Sequence, residues 1–365
     1  MLDQNIMGNI VQYSGDRVVL WTLRKYVDPF LYRYIMLHKR RMLIYGQVQS
    51  GKTEEIINTL KNPLYDRIPK IIVIQNSLLV LSQYQQRLRD SDVSYQVIDK
   101  NTTDIHADVI LLINNVLRYR MFMKIRDSIT KYVLFMDESD SYDKGRHLLA
   151  DGAIHEYYIT ATPIHRVYRP PGFFHNIQKV SAASHYKGLN HITIEYKDAS
   201  VTNIVRGFVN EVDTGMMLIN AYKRVDEMLA VGILLSSEFP NIAFVTLNSK
   251  RRIIFRGKPQ KIKNAPLSKV IDRLSPFKHI VFIANRMSLR GLSYCSSDYS
   301  RHLTHQYSNL NQGNITNSLQ RMRLFGKYMD DQPLKLILPS NNQRRIDDMF
   351  QSLDMKFDLC REFTL

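Results

Sequence analysis

The segment from residue 46 to residue 53 constrains the fold of this chain more than any other feature. It fits the pattern G-x-x-x-x-G-K-[ST] and lies between a short apolar run at 42–45 and a helix-like segment at 54–60. In a strand–loop–helix arrangement, glycines let backbone N–H groups surround phosphates, and the helix N-terminus adds partial positive charge. The alternative is a glycine-rich turn that binds nothing. The residues predicted to hold a nucleoside triphosphate are Gly46, Gln49, Ser50, Gly51, Lys52 and Thr53.

Two side chains of this loop have specific predicted roles. Lys52 is expected to reach the β- and γ-phosphates of ATP, and the Thr53 hydroxyl is expected to bind Mg²⁺. ATP and Mg²⁺ are therefore the ligands that the loop predicts.

Strand-like and helix-like segments alternate through the first half of the chain. Apolar runs at 42–45, 70–75, 109–113, 132–136 and 157–160 predict strands, and 54–60, 78–90 and 118–129 predict helices. Each run is short and almost continuously apolar, as in a sheet that is covered on both faces. This alternation predicts a parallel α/β sheet.

The alternation stops near Pro170 and Pro171 and resumes after residue 190. Strands are predicted at 191–196, 216–220, 242–246, 279–284, 304–307 and 334–338, with helices at 222–234, 267–274 and 315–325. A length of 365 residues also suits two domains of ordinary size. We expect domains at 1–170 and 191–345, a linker at 171–190 and a tail at 346–365.

An acidic segment directly follows the predicted strand at 132–136. Asp137, at the end of a buried strand, is expected to be a second Mg²⁺ ligand beside Thr53. Glu138 is expected to orient or deprotonate an attacking water. The alternative is a solvated acidic turn, which is common at strand ends.

Taken together, the phosphate loop, Asp137-Glu138-Ser139-Asp140 and the segment Thr160-Ala161-Thr162-Pro163 resemble the first lobe of a superfamily 2 helicase or translocase. The resemblance implies an α/β protein with two tandem RecA-like domains, mainly parallel sheets and an ATP cleft between the domains. It also implies that Thr160 and Thr162 link hydrolysis to movement of the lobes.

Two segments of the second half extend this resemblance. An apolar run at 280–284 leads to Arg290 and Gly291, similar to the family's Arg-Gly pair near nucleotide and nucleic acid. Residues 320–327 are similar to the family's Gln- and Arg-rich segment. Gln320 and Arg323 are the catalytic residues that this implies, with Arg323 as the arginine finger on the γ-phosphate and Arg321 as the second choice.

The chain carries 50 Lys and Arg against 34 Asp and Glu, a net charge of +16, which favours a polyanionic partner. The segment 250–263 alone contains seven cations and no acid; it predicts a nucleic-acid contact or, alternatively, a solvated face. Polar residues at predicted strand ends are further candidates, although helix capping explains them equally well. The predicted nucleic-acid contacts are Asn76, Ser77, Asn115, Arg118, Arg251, Arg252, Arg256 and Arg290.

Other classes of protein fit less well. Two cysteines argue against a disulfide-rich scaffold, and apolar runs are far shorter than the roughly 20 residues of a membrane helix. We expect a soluble intracellular protein with no membrane partner. The resemblance implies an ATP-dependent nucleic-acid helicase or translocase. Alternatives are an ATPase motor of a larger nuclease, packaging or defence complex, a nucleic-acid-binding protein with an inactive ATP site, and a P-loop kinase.

Overall fold

The computed structural model describes residues 40–126, 129–141, 146–161, 174–181, 184–222, 224–248, 251–262, 265–284, 291–310, 321–328, 332–344 and 346–347. The described residues from Arg41 onward belong to one compact unit. They form a seven-stranded sheet, an eight-stranded sheet and a small two-stranded sheet.

The first sheet is parallel and has the strand order β3-β4-β2-β5-β6-β1-β7. Its strands are β1 (Arg40–Tyr45), β2 (Lys70–Ile74), β3 (Tyr95–Val97), β4 (Val109–Ile113), β5 (Tyr132–Asp137), β6 (Ala153–Thr160) and β7 (Asn176–Lys179). The helices of this part are α1 (Lys52–Leu60), α2 (Leu78–Asp90), α3 (Val116–Ile125) and α4 (Arg146–Ala150). The α/β class predicted from the alternation is confirmed.

Helices cover both faces of the first sheet, which explains the continuously apolar strands. Alternate residues of β2 belong to two separate apolar clusters, with Ile72 in one and Ile71 in the other. Tyr84 of α2 packs in the first cluster and Phe122 of α3 in the second. Because successive strand residues point to opposite faces, the two clusters lie on opposite sides of the first sheet, and the cluster with Tyr84 continues into residues of the second sheet such as Leu218.

The second sheet has the order β13-β12-β11-β14-β10-β15-β17-β9. Its strands are β9 (Ile192–Tyr196), β10 (Gly215–Asn220), β11 (Ala243–Leu247), β12 (Arg252–Phe255), β13 (Lys258–Lys261), β14 (His279–Ala284), β15 (Leu303–Ser308) and β17 (Leu334–Leu338). Pairing is parallel from β11 to β9 and antiparallel between β11, β12 and β13. The helices are α5 (Val201–Glu211), α6 (Val225–Glu238) and α7 (Leu267–Arg273).

A small antiparallel sheet joins two segments that are far apart in sequence. β8 (Tyr186–Lys187) pairs with β16 (Gly326–Lys327), which directly follows the segment that contains Arg323. The helix predicted at 315–325 extends too far, because residues 322–325 are not helical and lead into β16. Residues 315–320 of that prediction lie outside the described part.

Short 3-10 turns complete the described structure, at Pro63–Tyr65, Ser139–Ser141, Leu189–His191 and Ser340–Asn342. Within the part of the chain that the structure describes, each helix is too short or too polar to cross a lipid bilayer.

Candidate active site

The loop after β1 has the backbone conformation of a tight cradle. Gln49 and Gly51 have φ angles of 61° and 98°, in the left-handed region. A Cβ atom added at Gly46 would lie 2.6 Å from Ser50 Oγ and 3.0 Å from the Val180 carbonyl oxygen. Glycine is therefore required at position 46 by close packing, and at position 51 glycine is favoured by its left-handed φ.

Lys52 is the first residue of α1, and its amine turns back into the loop. Nζ donates to the carbonyl oxygens of Gly46 at 3.1 Å and Gln47 at 2.7 Å. Burial lowers the pKa of Lys52, while the negative charges of Glu138 and Asp137 oppose that effect. A buried ammonium group is thus held beside the acidic segment, where it can meet an anion.

The acidic pair lies at the carboxyl end of β5. Asp137 Oδ1 accepts a hydrogen bond from the Glu138 amide at 3.0 Å, and Oδ2 accepts one from the Tyr84 hydroxyl at 2.5 Å. Burial raises the pKa of Asp137, and the bond from Tyr84 and the charge of Lys52 counteract it. Glu138 has a φ of 54°, an uncommon conformation for a residue with a side chain and one found often at functional sites.

The neighbouring strand end is tied to the same acidic segment. Thr160, the last residue of β6, donates from Oγ1 to Asp140 Oδ1 at 3.0 Å, and Ser139 Oγ donates to the Ile159 carbonyl at 3.1 Å. Thr160 therefore contacts the acidic segment directly. Thr162, its predicted companion, lies outside the described residues.

Arg323 enters the site from the chain segment beyond β15. The side-chain amide of Gln306, on β15, holds this segment at two points: Nε2 donates to the Arg321 carbonyl at 2.7 Å, and Oε1 accepts from the Arg323 amide at 2.8 Å. Arg323 is only 3% exposed, and its positive charge contributes to the lowered pKa of Lys52. The two cations therefore share one site.

One cavity of about 610 Å³ collects these groups, a volume suited to a nucleotide. The predicted site residues that line it are Gln49, Ser50, Gly51, Lys52, Thr53, Asp137, Glu138, Gly291 and Arg323. Of the two candidate arginines, Arg323 lines the cavity and Arg321 does not. Gly46 shapes the loop from beneath.

Direct contacts join α2 and the phosphate loop to the segment after Gly291. Gln49 Nε2 donates to the Leu292 carbonyl at 3.4 Å, and Gln83 Nε2 donates to the Ser293 carbonyl at 3.2 Å. Gly291 has a φ of 68°, and a Cβ there would lie 3.3 Å from a methyl group of Val80. Residues from both halves of the sequence therefore build the walls of the cavity.

The sequence motifs did not reveal several residues that line the cavity, nor Tyr84, which contacts the lining residue Asp137. Tyr186 of β8 donates its hydroxyl to the Val48 carbonyl at 2.7 Å, and Tyr328 follows β16. Tyr84 occupies the buried face of α2, between Val80 and Leu88, so its helical spacing is that of a core residue. No local sequence signal separates it from its apolar neighbours.

Comparison with known proteins adds to this geometry. No protein-family model and no curated protein matches the sequence. Among solved structures, S. cerevisiae Dbp5 bound to RNA and ADP BeF3 matches with a TM-score of 0.56 and 14% identity over 95% of this chain and 96% of that one. The Mycobacterium smegmatis helicase Lhr bound to ssDNA and AMP-PNP matches at 0.56 and 12%, over 86% of this chain and 46% of that one. The E. coli DExH-box NTPase HrpB matches at 0.53 and 13%, over 87% and 41%.

The chain has the fold of these solved structures. At identities this low the likeness is one of fold, and it confirms the resemblance inferred from the motifs at that level. In open α/β sheets generally, ligands bind at the edge formed by the carboxyl ends of the parallel strands.

The residues at the cavity fit a magnesium ion that accompanies a triphosphate. No group of three or more His, Cys, Asp or Glu among the described residues could hold a metal by itself. Mg²⁺ is commonly held by one or two carboxylates together with phosphate oxygens and waters. The Thr53 hydroxyl and the Asp137 carboxylate, on the wall of a nucleotide-sized cavity, are such a donor set.

The predicted nucleic-acid contacts at the first sheet share one edge of the helicase fold. β2 and β4 are neighbours, so the residues that follow them lie side by side. Asn76 is exposed, while Ser77 and Asn115 cap α2 and α3 by accepting from the amides of Val80 at 3.5 Å and Leu117 at 2.8 Å. Nη1 of Arg118 is buried and has no hydrogen-bond partner in the part described. Arg290 and Gln320 lie outside the described residues.

The basic segment forms an antiparallel hairpin at the edge of the second sheet. Arg252 pairs with Thr246 of β11 and with Lys261 of β13, so this end lies near the carboxyl end of β11. Arg256 and Lys258 flank the turn at the other end, about 13 Å away at the rise of an extended strand. Four cations of the predicted cluster therefore form two separate pairs, Arg252 with Lys261 and Arg256 with Lys258, while Lys250 and Lys263 lie outside the described residues.

Arg251 differs from the other cations of the segment. It is 7% exposed, and its guanidinium donates to the Ala265 carbonyl at 3.0 Å. Burial lowers the pKa of Arg251. Because its side chain is used inside the fold, we leave Arg251 out of the nucleic-acid contact.

Proposed function

We propose that this chain is a nucleic-acid-dependent ATPase of the helicase and translocase class, which couples ATP hydrolysis to movement on DNA or RNA. One observation carries the proposal: Lys52, Asp137 and Glu138 line the same nucleotide-sized cavity as Arg323, which comes from the second half of the sequence.

Each residue of the cavity has a role in phosphoryl transfer. The loop amides and Lys52 bind the phosphates, and Thr53 and Asp137 would hold Mg²⁺, which neutralises charge on the phosphate oxygens when bound. Glu138 accepts a proton from the attacking water. Arg323 neutralises charge that develops on the transferred phosphoryl group.

Movement follows from where these groups are anchored. Lys52 begins α1 and Glu138 directly follows β5, both in the part of the chain built on the first sheet, whereas Arg323 is held by Gln306 of the second sheet. Loss of the γ-phosphate removes an anion that both parts bind, so hydrolysis changes the free energy of holding them together. The Thr160–Asp140 hydrogen bond gives the acidic segment a direct connection to β6.

Polynucleotide is the proposed second ligand. Asn76, Ser77, Asn115 and Arg118 share one sheet edge, and the Arg252 end of the hairpin is a further basic contact. Dbp5 bound to RNA and Lhr bound to ssDNA have the same fold, which supports this class of partner. Roles for Thr162, Arg290 and Gln320 remain predictions from the sequence.

We also propose two RecA-like domains at 1–170 and 191–345. β7 (Asn176–Lys179) lies within the predicted linker and pairs with β1, so the first sheet extends past residue 170. The first strand of the second sheet begins at Ile192, which supports a boundary in the later part of the linker. Membership of a larger nuclease, packaging or defence complex is compatible with this division.

ATP turnover with and without single-stranded DNA or RNA tests the proposal. We expect polynucleotide to stimulate turnover several-fold, and Lys52→Ala or Glu138→Gln to reduce it by roughly 10²- to 10⁴-fold. Lys61→Ala, at the exposed far end of α1, is the matched control and should retain full activity. Turnover that both site variants leave unchanged would exclude this site, and turnover that no polynucleotide stimulates would favour the kinase alternative.

A further inference from the structure

One phenol contacts both side chains to which we assign the magnesium ion. The Tyr84 hydroxyl donates to Asp137 Oδ2 at 2.5 Å, and the Thr53 side chain is hydrogen-bonded to the same phenol. Thr53 is the second residue of α1 and Asp137 ends β5, so no local sequence relation connects them. Tyr84, on a third element, is the group that does.

Tyr84 is held firmly in its place. Its side chain is 3% exposed, within the apolar cluster between α2 and the first sheet. A second face of α2 carries Gln83 and Arg87, which are partly exposed. Gln83 donates to the Ser293 carbonyl oxygen at 3.2 Å, and Arg87 donates to the Ser293 hydroxyl oxygen at 3.5 Å. α2 is therefore anchored on two sides, and the phenolic oxygen has a fixed position next to Asp137, which lines the cavity.

The Tyr84 hydroxyl is not needed to fill the apolar layer at this position. Val80 and Leu88, one turn away on the same face, show that an apolar side chain fills this layer without a polar atom. A carboxylate that ligates a metal is usually oriented by a hydrogen bond from a neighbouring group, and loss of such a group commonly costs 10- to 100-fold in metal affinity.

We propose that Tyr84 is a positioning residue for the magnesium site, whose phenol fixes the orientation of the Asp137 carboxylate and the Thr53 hydroxyl. This inference rests on the proposed function, because it takes those two residues as the magnesium ligands. Tyr84 touches neither substrate nor metal in this account and acts through its two partners.

Tyr84→Phe removes the hydroxyl and keeps the ring. The readout is binding of a fluorescent ADP analogue, titrated with Mg²⁺ and repeated in EDTA. We expect the Mg²⁺ concentration for half-maximal enhancement of binding to rise about 10-fold or more, with binding in EDTA unchanged. Electron paramagnetic resonance of bound Mn²⁺ should show the same loss of affinity.

Tyr119→Phe is the matched control. Tyr119 is a similarly buried tyrosine on α3, and its hydroxyl donates to Asn114 Oδ1 at 2.6 Å. Each variant removes one buried tyrosine hydroxyl, so both should lose thermal stability, but only Tyr84→Phe should change the Mg²⁺ requirement. In an Asp137→Asn background, Tyr84→Phe should have a much smaller further effect on metal affinity, because only its contact with Thr53 is then lost.

The outcomes separate this inference from the function on which it rests. Wild-type protein that binds nucleotide with Mg²⁺, and Tyr84→Phe that needs the same Mg²⁺ concentration, would overturn the role of Tyr84 alone. An equal shift in Tyr119→Phe would assign the effect to stability and would also overturn it. Wild-type protein that binds no nucleotide in Mg²⁺ or in EDTA would instead overturn the proposed function.

Discussion

At the scale of single residues, the site depends on backbone conformations that few side chains adopt. Gln49 and Glu138 have positive φ angles, and Gly46 lies too close to Ser50 and Val180 for any Cβ. Non-glycine residues in this region cost of order 1–3 kcal/mol each, which the surrounding fold must offset. The segments of Gln49 and Glu138 directly follow the buried strands β1 and β5, which supply that support.

Gln306 is the residue whose contacts most directly locate Arg323. Gln306→Leu removes both the bond to the Arg321 carbonyl and the bond from the Arg323 amide. Because small displacements of a catalytic group are costly, we expect kcat for ATP to fall roughly 10- to 100-fold with little change in KM. Steady-state kinetics at saturating polynucleotide measure this.

Thr304→Val is the control for Gln306→Leu. Thr304 lies on the same strand, is buried, and donates to the Met216 carbonyl at 3.2 Å, away from Arg323. We expect the Thr304→Val variant to lose about 1 kcal/mol of unfolding free energy and to retain the wild-type kcat. Equal kinetic losses in both variants would mean that Gln306 acts through stability alone.

Residues in contiguous motifs could be predicted from the sequence, and residues joined by tertiary contact could not. Lys52 and Asp137 each belong to a short pattern that follows a strand. Tyr84 lies 53 positions from Asp137 and Gln306 lies 17 from Arg323, and neither has a distinctive neighbourhood. Their roles depend on which strand ends the fold brings together.

At the scale of secondary-structure elements, burial decides which strands can be predicted from the sequence. β4 and β14 match their predicted bounds because both are apolar runs inside a covered sheet. β13 was missed: its residues, Lys258–Lys261, are exposed and include a proline and two lysines, which are features of an edge strand. Such a strand has no apolar pattern to detect.

The hairpin also gives a prediction with a built-in control. Arg252→Glu/Lys261→Glu changes the pair at the carboxyl end of β11, and Arg256→Glu/Lys258→Glu changes the pair at the turn. If the polynucleotide follows the carboxyl edges of the strands, only the first double variant should weaken binding. Its salt slope should fall by roughly one per lost phosphate contact.

Fluorescence anisotropy of labelled single strands over a range of salt concentrations measures this slope. The turn variant carries the same change in net charge, so it controls for the overall field of the protein. A slope that falls equally in both variants would indicate general electrostatic attraction rather than a contact at the carboxyl end.

At the scale of the whole molecule, the central feature is a cavity that neither half of the sequence forms alone. The segments after β1 and β5 of the first sheet contribute the phosphate loop and the acidic pair, and the segment between β15 and β17 of the second sheet contributes Arg323. The few cations at this cavity account for only a small part of the net charge of +16, and the remaining positive charge is consistent with a second polyanionic ligand. An ATPase that requires both halves can convert chemistry into relative motion.

The most direct test of a catalytic site shared by both halves is single-turnover hydrolysis of ATP in saturating single-stranded nucleic acid. The rate is measured for the Arg323→Ala variant and, in parallel, for Arg321→Ala. Both arginines are buried in one segment, but only Arg323 lines the cavity. We expect Arg323→Ala to slow hydrolysis about 10³-fold or more and to change ATP affinity by no more than a few-fold. Arg321→Ala should slow hydrolysis much less. Hydrolysis by Arg323→Ala at the wild-type rate would contradict the shared catalytic site.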